Sequence, residues 1–467
     1  MTPSPPSRRS TWPSLVLVVL VASLGAVAVG APTGSAAHAP TVTLSLGPPA
    51  GVHYANPFWA VNTGDDLTPK ALAGLGNFLN STPFTWVRLG GGSDSYDPTT
   101  GIDYEAPSSG THYVAVATQL TNFTWFKAWC LSRTPHCLWM TYLPGEENNT
   151  AAAVHVAEWF HTVLRFVPTY WEFGNEPNAW THYGKNRTQW STTDALTPTG
   201  LDYATMVHSY SVAVAKLFPS DRFLGIQANC ACNATLVSTT TQVDGSLLSG
   251  MAYHSYPWLN GSSTSLSQFY GSLESSRNLP NTTAHFRALM TASCPGCASM
   301  PLDVGEYQAG PVPVHSPLAG GYAGAVFMAA SVIQALENNV STFTEFNIGW
   351  LLNTSNGAVA AEGLLYQRIL DNLTMGTDVP AVVRVPGVGG VFGLFVQNGS
   401  RLALFVVNTN TTHSFTLPIS SALFGVGVSG STWSWTPMLK FPAAHRGVTL
   451  PSSYFLSPQS ILLMTNY

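Results

Sequence analysis

Charged residues are scarce in this chain. Only 9% of its 467 residues are Asp, Glu, Lys or Arg, against about 25% in a typical soluble domain. The 18 Lys and Arg residues form no basic patch, and the formal net charge is −5. A nucleic-acid-binding protein normally carries such a patch, so this class is excluded. A long, heavily sulfated polyanion is excluded as the main ligand for the same reason.

The scarcity of carboxylates also leaves few groups whose protonation could unfold the chain at low pH. This composition is compatible with an acidic extracellular environment, and equally with compositional drift under glycosylation. Hydrophobic residues make up 45% of the chain, which is enough for a large core and excludes global disorder.

The N-terminal segment, residues 1–37, has the features of an export signal. Arg8 and Arg9 precede an apolar run over residues 15–29, and small residues follow through Ala37. This order is typical of a cleaved secretory signal, and the run is short for a membrane span. We therefore expect a secreted, extracellular protein; an uncleaved signal would instead anchor it at the cell surface. No later segment predicts a second span.

Asn-X-Ser/Thr sequons are frequent, as expected of a secreted glycoprotein. They begin at Asn80, Asn122, Asn148, Asn186, Asn233, Asn260, Asn281, Asn339, Asn353, Asn372, Asn398 and Asn410.

The six cysteines are even in number, which suits disulfide bonds in an oxidising compartment. Cys130 and Cys137 flank a short turn and are predicted to pair. The others are Cys230, Cys232, Cys294 and Cys297. Their spacing leaves a four-thiolate zinc site as an alternative, which the fold predicted below disfavours because it separates the two pairs.

Between residues 51 and 375, short apolar strands alternate with helical segments. The predicted strands are 58–62, 85–89, 138–142, 170–175, 223–228, 251–255, 301–305 and 343–347. The predicted helices are 68–80, 113–130, 156–167, 203–218, 266–290, 322–337 and 362–373. Eight strands that alternate with helical segments predict an α/β fold of the (β/α)8 TIM barrel type. A doubly wound open sheet is the alternative, but no Gly-rich phosphate loop follows the first strand.

Helical periodicity is absent from residues 376–467, where short strands predict a C-terminal β-sandwich domain. Two of these strands are joined by Gln397-Asn398-Gly399-Ser400, a hairpin signal. Residues 38–50 include one alternating segment, which we expect to join this sandwich.

Two glutamates stand at the ends of predicted barrel strands, where barrel enzymes carry their catalytic groups. Glu176, in Gly174-Asn175-Glu176-Pro177-Asn178, follows the fourth strand, and Glu306, in Asp303-Val304-Gly305-Glu306-Tyr307, follows the seventh. Glycoside cleavage requires one carboxyl group to protonate the leaving oxygen and a second to attack or to activate water. Glu176 and Glu306 are therefore the candidate catalytic pair.

The segment 174–178 resembles the acid/base motif of the large barrel clan of glycosidases, clan A. With Gly before Asn-Glu-Pro, it is most similar to glycoside hydrolase family 79, the heparanase and β-glucuronidase family. The resemblance implies a barrel with an appended β-sandwich, Glu176 as acid/base and Glu306 as nucleophile of a retaining reaction. It also implies that Asn175 bonds the sugar 2-hydroxyl and that the substrate is a β-linked uronic acid.

The resemblance extends to other strand ends. It implies that His254 and Tyr256 line the sugar site, with the Tyr touching the nucleophile, and that Arg88 holds the nucleophile ionised. Trp350 is a candidate stacking platform for a sugar face. A barrel-rim salt bridge for Arg88 and plain packing for Trp350 are the alternatives. Gly320-Gly321-Tyr322 is similar to the family's uronate-binding loop, but lies farther from Glu306 than in the family.

Two further glutamates compete for the catalytic roles. Glu172 has the same strand parity as Glu176 but lies deeper, and we expect it to be a paired structural carboxylate. Glu345, in Thr344-Glu345-Phe346-Asn347, stands in a context similar to nucleophiles of related barrels. If Glu345 were the nucleophile, which is expected at the end of the seventh strand, the barrel would lack its eighth strand.

These patterns predict a secreted retaining β-glycosidase that acts on an oligo- or polysaccharide by double displacement, without a metal or organic cofactor. A clan A β-xylosidase or β-glucosidase is one alternative. A non-catalytic carbohydrate-binding protein of the cell surface is another, and the presence of both glutamates in matching contexts disfavours it.

Overall fold

The computed structural model describes residues 45–46, 52–54, 59–62, 76, 86–89, 96–97, 102–103, 112–113, 116–133, 136–145, 148–177, 200–229, 234–257, 265–308, 318, 321–345, 351, 359–365, 377–384, 389–398, 400–419, 429–436 and 443–466. The predicted signal and, apart from Gly76, the predicted helix over 68–80 lie outside these residues. Within them, no helix combines the length and apolar character needed to cross a bilayer.

Eight parallel strands form the barrel. Numbered in chain order among all strands, they are β3 (Trp59–Asn62), β4 (Trp86–Arg88), β8 (Leu138–Leu143), β9 (Tyr170–Phe173), β10 (Leu224–Asn229), β11 (Gly250–Ser255), β12 (Leu302–Tyr307) and β13 (Thr342–Glu345). They pair in the order β10-β11-β12-β13-β3-β4-β8-β9. A parallel bridge between Trp171 and Phe223 joins β9 to β10, with Trp171 N donating to Arg222 O at 2.9 Å. The predicted (β/α)8 barrel is confirmed.

Helices follow the strands on the outside of the barrel. They are α1 (Val116–Ser132), α2 (Thr150–Trp159, continued by a π-helical turn Phe160–Leu164), α3 (Gly200–Leu217), α4 (Ala234–Asp244), α5 (Leu266–Gly271), α6 (Leu279–Ser293), α7 (Tyr322–Glu337) and α8 (Ala361–Leu365). The single helix predicted over 266–290 is wrong, because α5 and α6 are separate. Asn278 caps α6 by accepting from Asn281 N at 2.9 Å, and Pro280 lies in its first turn, where proline starts helices and does not continue them.

The barrel interior is layered. An apolar floor at the beginning of the strands consists of Ala60, Trp86, Met140, Leu224 and Ala252, with Leu138 and Tyr170 packed against it. Side chains two residues apart on a strand point the same way. Arg88 and Glu172, two residues beyond Trp86 and Tyr170, therefore lie directly above this floor.

Two strands break the alternation on the way to the next layer. In β10 the pairing shifts between Gly225 and Ala228, and Ile226 has φ 59°. Leu224 faces the floor while Ile226 and Ala228 pack outside, in the main core. The extra residue turns Gln227 inward, as a β-bulge does.

The same happens in β12, where the pairing with β11 shifts after Val304. Val304 and Tyr307 both belong to the main core, so the residues before each of them, Asp303 and Glu306, share the barrel interior. Two bulges thus bring polar side chains inward on the two strands that flank β11.

A second, antiparallel sheet follows the barrel. It contains β1 (Ser45–Leu46), β2 (Val52–Tyr54), β14 (Thr377–Arg384), β15 (Val391–Asn398), β16 (Arg401–Asn408), β18 (Ser429–Trp435), β19 (Ala443–Thr449) and β21 (Ser460–Thr465). Both β1 and β2 pair with β14. A three-stranded sheet, β5 (Tyr96–Asp97), β6 (Ile102–Asp103) and β7 (His112–Tyr113), lies within the barrel segment.

The large sheet is covered on both faces. Along β16, Ala403, Phe405 and Val407 belong to the core shared with the barrel, whereas Leu404 and Val406 pack against the short pair β17 (Phe415–Pro418) and β20 (Ser453–Leu456). The predicted β-sandwich domain is confirmed as two sheets of unequal size.

Disulfide bonds join Cys130 to Cys137 and Cys294 to Cys297. The first is the predicted pair. The second removes Cys294 and Cys297 from the alternative zinc site; Cys230 and Cys232 lie outside the described residues.

Tyr322, at the start of α7, connects the barrel to the large sheet. Its hydroxyl lies 2.8 Å from Trp435 O and 2.6 Å from Gln459 O. The ring also packs edge-on against Trp435, with centroids 5.4 Å apart.

We expect Tyr322→Phe to lower the free energy of unfolding by about 1–2 kcal/mol, because it removes the one hydroxyl donor that the two carbonyl groups share while the ring contact is kept. Urea denaturation measures the difference. Tyr270→Phe is the matched control, because the buried Tyr270 hydroxyl has no hydrogen-bond partner among the described residues. Equal losses of unfolding free energy in the two variants would show that the Tyr322 hydroxyl does not stabilise the fold through these hydrogen bonds.

Asp303, inside β12, is a buried acid with an unusual environment. Burial raises the pKa of its carboxyl to about 7; a hydrogen bond with Thr342 opposes the rise and the charge of Glu172 adds to it. Its Oδ1 atom has no hydrogen-bond partner among the described residues.

Asp303→Asn should therefore change how stability depends on pH. The folded-state pKa of about 7 lies above the usual Asp value of about 3.9, so wild-type stability is lost as pH rises through that interval. The amide does not ionise, and the variant should gain roughly 4 kcal/mol relative to the wild type between about pH 4 and about pH 8. Urea denaturation at both pH values tests this, and parallel pH curves for the two proteins would refute it.

Candidate active site

Glu176 lies in a tight turn just after β9. Gly174 has φ 77° and Glu176 has φ 46°, a left-handed conformation that is uncommon for a non-glycine residue. Glu176 N donates to Gln227 O at 3.0 Å, so the turn is tied to the next barrel strand. The Glu176 side chain is buried above the barrel interior.

Glu306 is held by donors on both carboxylate oxygens. Arg88 Nη1 donates to Oε1 at 2.7 Å, and Asn62 Nδ2 lies 3.5 Å from the same atom. The Tyr256 hydroxyl donates to Oε2. Donors of this kind favour the ionised carboxylate.

His254 lies between the two glutamates. Its Nδ1 is 2.7 Å from Glu176 Oε1 and 3.2 Å from Glu306 Oε2. One carboxyl oxygen of Glu176, one carboxyl oxygen of Glu306 and one ring nitrogen of His254 all lie within 4.8 Å of one another. The two carboxyl groups, from strands far apart in sequence, therefore face the same small gap.

Arg88 connects this gap to the layer below. Its Nε and Nη2 atoms each lie 3.1 Å from the carboxylate of Glu172. Nη2 also donates to the Tyr142 hydroxyl at 2.7 Å and to Asn175 Oδ1 at 3.1 Å. Burial alone would lower the pKa of the guanidinium, but the charges of Glu172 and Glu306 raise it well above its usual value. Arg88 is therefore a permanent buried cation.

The surrounding groups titrate abnormally. Burial lowers the pKa of His254 to about 3, against the opposing charge of Glu306, so its ring is neutral. Burial raises the pKa of Glu306, while His254 and Arg88 oppose the rise and Glu176 adds to it. Burial and the Glu306 charge raise the pKa of Tyr256 well above its usual value. Desolvation dominates throughout, as expected of a site closed to bulk water.

Glu176, His254 and Glu306 also carry donor atoms that suit a divalent cation. However, both oxygens of Glu306 already accept hydrogen bonds, and a guanidinium charge beside one of them opposes a second cation. The contacts therefore fit a hydrogen-bonded acid pair better than a metal site.

The structure brings together six of the seven residues singled out from the sequence. Arg88, Asn175, Glu176, His254, Tyr256 and Glu306 are joined by the contacts above. Trp350 and Gly320 lie outside the described residues. Glu172 is paired, as expected, and its partner is Arg88. Glu345, at the end of β13, is not part of the cluster of Glu176, His254 and Glu306.

Sequence reasoning missed Gln227, Tyr142 and Asn62. Gln227 Nε2 donates to Glu172 Oε1 at 2.6 Å, and Gln227 Oε1 lies 2.9 Å from His254 Nε2. The signal available for it was a single amide within the apolar run Phe223-Leu224-Gly225-Ile226-Gln227-Ala228. Strict alternation places Gln227 on the opposite side from Leu224, and only the bulge at Ile226 brings both inside.

No protein-family model matches this sequence, and no curated protein matches it. Solved structures do resemble its fold. A family 44 xyloglucanase from Paenibacillus polymyxa superposes with TM-score 0.63 at 12% identity, over 91% of this chain and 99% of its own. A bifunctional glucanase-xylanase from a metagenome library gives 0.65 at 14%, over 91% and 99%. An α-L-arabinofuranosidase from Thermotoga maritima gives 0.63 at 12%, over 90% and 97%. At these identities, the similarity establishes a shared fold over nearly the whole length of each protein.

Proposed function

We propose that this chain is a secreted retaining β-glycosidase in which Glu306 is the nucleophile and Glu176 the general acid and base. The observation that carries the proposal is the buried pair of carboxyl groups, each of which has an oxygen within 4.8 Å of an oxygen of the other. Retaining enzymes hold their two carboxyl groups about 5–5.5 Å apart, whereas inverting enzymes need roughly 6.5–9.5 Å to admit a water molecule.

The surroundings of the two carboxyl groups support the proposed roles. Glu306 accepts hydrogen bonds from Arg88 and Tyr256, which favour the anion that a nucleophile requires. Glu176 faces the neutral ring of His254. Two neighbouring acids in such different settings are the usual arrangement of an acid and a nucleophile.

The reaction has two steps. Glu306 attacks the anomeric carbon while the glycosidic bond breaks, and the proton of Glu176 passes to the departing oxygen. A water molecule then attacks the glycosyl ester, Glu176 takes its proton, and Glu306 leaves as a carboxylate. Two displacements at one carbon retain its configuration.

Asn175 is the proposed contact for the sugar 2-hydroxyl. Its Oδ1 accepts from Arg88, which turns its amide nitrogen away from the guanidinium. A hydrogen bond to this hydroxyl, which lies beside the nucleophile, becomes stronger in the transition state.

Two classes of sugar are candidates. The segment 174–178 favours a β-linked uronic acid. The similar solved structures, a xyloglucanase, a glucanase-xylanase and an arabinofuranosidase, favour a neutral xylose- or glucose-type substrate. Arg88, already engaged with Glu172 and Glu306, is not suited to bind a uronate carboxylate as well.

We expect the purified protein to hydrolyse one member of a panel of aryl β-glucuronides, β-xylosides and β-glucosides. Glu176→Gln should lower kcat/KM about 10²–10⁴-fold, and Glu306→Gln at least as much, because it removes the attacking atom. Glu158→Gln, at an exposed position of α2, is the matched control and should retain activity.

Azide separates the two roles. With Glu306→Ala it should attack in place of the nucleophile and give the α-glycosyl azide. With Glu176→Ala it should attack the glycosyl-enzyme and give the β-glycosyl azide. The reverse assignment of products would exchange the roles. No turnover of any glycoside by the wild type, at acidic or neutral pH, would favour a non-catalytic carbohydrate-binding protein.

A further inference from the structure

Gln227 reaches the proposed acid by two routes. Its backbone carbonyl accepts from Glu176 N at 3.0 Å. Its side-chain amide connects Glu172, at 2.6 Å, to His254, at 2.9 Å, and His254 contacts Glu176. The side chain is buried below the carboxyl pair, so we assign it no contact with substrate.

The strand geometry is adapted to this one side chain. Ile226 is β-branched and has φ 59°, a genuine outlier for such a residue. Bulges next to active sites serve to re-aim a side chain. On β12, which β11 separates from β10, a Cβ atom at Gly305 would overlap Gln227 Oε1. A strained residue and a glycine on two strands therefore both serve to place the amide of Gln227.

Arg88 fixes the direction of this amide. Its Nε donates to both oxygens of Glu172, its Nη2 lies 3.1 Å from one of them, and an ionised carboxylate only accepts hydrogen bonds. The group that Gln227 presents to Glu172 must therefore be its NH₂. Its Oε1 consequently faces His254.

The direction of the amide fixes the tautomer of His254. Because Gln227 Oε1 can only accept, His254 Nε2 must carry a hydrogen. The ring is neutral, since burial lowers its pKa to about 3, and a neutral imidazole carries only one such hydrogen. Nδ1 is then an acceptor, and Glu176 Oε1, 2.7 Å away, must donate to it.

We propose that Gln227 is a positioning residue, which locks His254 in the Nε2–H tautomer and thereby holds the catalytic proton on Glu176 before substrate arrives. The tautomer follows from these contacts and the neutral ring, and its catalytic consequence rests on the proposed function. The rival arrangement places the hydrogen on Nδ1, shared with Glu306 Oε2 at 3.2 Å. It would turn the Gln227 carbonyl oxygen toward the carboxylate of Glu172.

The charged and titratable groups around the His254–Glu176 contact come from several strands. They are Arg88, Glu172, Tyr256 and Glu306. Substituting Gln227 also removes the hydrogen bond that lowers the pKa of Glu172, so the pH profile is interpreted together with the leaving-group comparison below.

The first test does not need turnover. Protein labelled with ¹⁵N in its histidines should show, by NMR at about pH 6, a protonated Nε2 and an unprotonated Nδ1 for His254, assigned by the loss of its signals in His254→Gln. Gln227→Met, which has no acceptor, should lose this pattern. Gln227→Glu should keep it, because its carboxyl group still accepts from Nε2. A protonated Nδ1 in the wild type would overturn the proposal.

The second test uses two leaving groups on whichever sugar the wild type hydrolyses. A phenyl glycoside needs protonation of its oxygen, and a 2,4-dinitrophenyl glycoside does not. Gln227→Met should lower kcat/KM for the phenyl substrate at least about 10-fold more than for the dinitrophenyl substrate. The alkaline limb of its pH profile should move to lower pH, because Glu176 then loses its proton more readily. Gln227→Glu should recover much of the kcat/KM that Gln227→Met loses on the phenyl substrate.

Gln334→Met is the matched control. Gln334 is a buried glutamine of α7 whose Nε2 donates to Leu273 O, outside the carboxyl pair. Gln334→Met should change kcat/KM for the two substrates by the same factor and should leave the pH profile unshifted. The same behaviour in Gln227→Met would mean that Gln227 only supports the fold, and the proposal would be wrong. If the NMR pattern is as expected but the wild type hydrolyses no glycoside, the proposed function fails and the tautomer assignment stands.

Discussion

A single guanidinium, that of Arg88, holds the polar interior of this barrel together. It is fully buried, and a buried charge is tolerated only when it is paired and hydrogen-bonded. Its partners, Tyr142, Glu172, Asn175 and Glu306, come from three other strands or their ends. Each strand must therefore keep the register that brings its partner to the cation, because an unpaired charge at this depth costs several kcal/mol.

The layers of the interior follow from this requirement. Regular strand alternation places Arg88 and Glu172 in the layer above the apolar floor at Trp86 and Tyr170. The side chains of the next layer point inward only because of the bulges at Ile226 and near Gly305. Strain of this kind persists where surrounding contacts over-determine the backbone. Here those contacts are hydrogen bonds of Gln227, through both its carbonyl and its amide.

The parts of this structure that could be predicted from sequence are those governed by periodicity and strand order. The eight strand–helix units, the sandwich and the grouping of Glu176 with Glu306 all follow from strands that end at one face of a barrel. The break between α5 and α6 was signalled only by Asn278 and Pro280. Gln227 could not be predicted, because a bulge inverts the parity on which side-chain direction is inferred. Its role depends on contacts among strands, which no local pattern encodes.

The count of charges around Arg88 explains why the pair can work without bulk water. With Glu172 and Glu306 ionised and Glu176 protonated, one cation faces two anions, and the buried net charge is −1. In the proposed reaction, Glu306 becomes neutral when it forms its ester, while Glu176 gives up its proton and becomes the anion. The net charge is again −1, with the negative charge moved only between two carboxyl groups that each have an oxygen within 4.8 Å of the other. A preorganised environment stabilises such a transfer at little reorganisation cost. An additional buried charge would be created only if Glu176 ionised before Glu306 reacted. Holding the proton on Glu176 until that moment is therefore what the electrostatics of the site require.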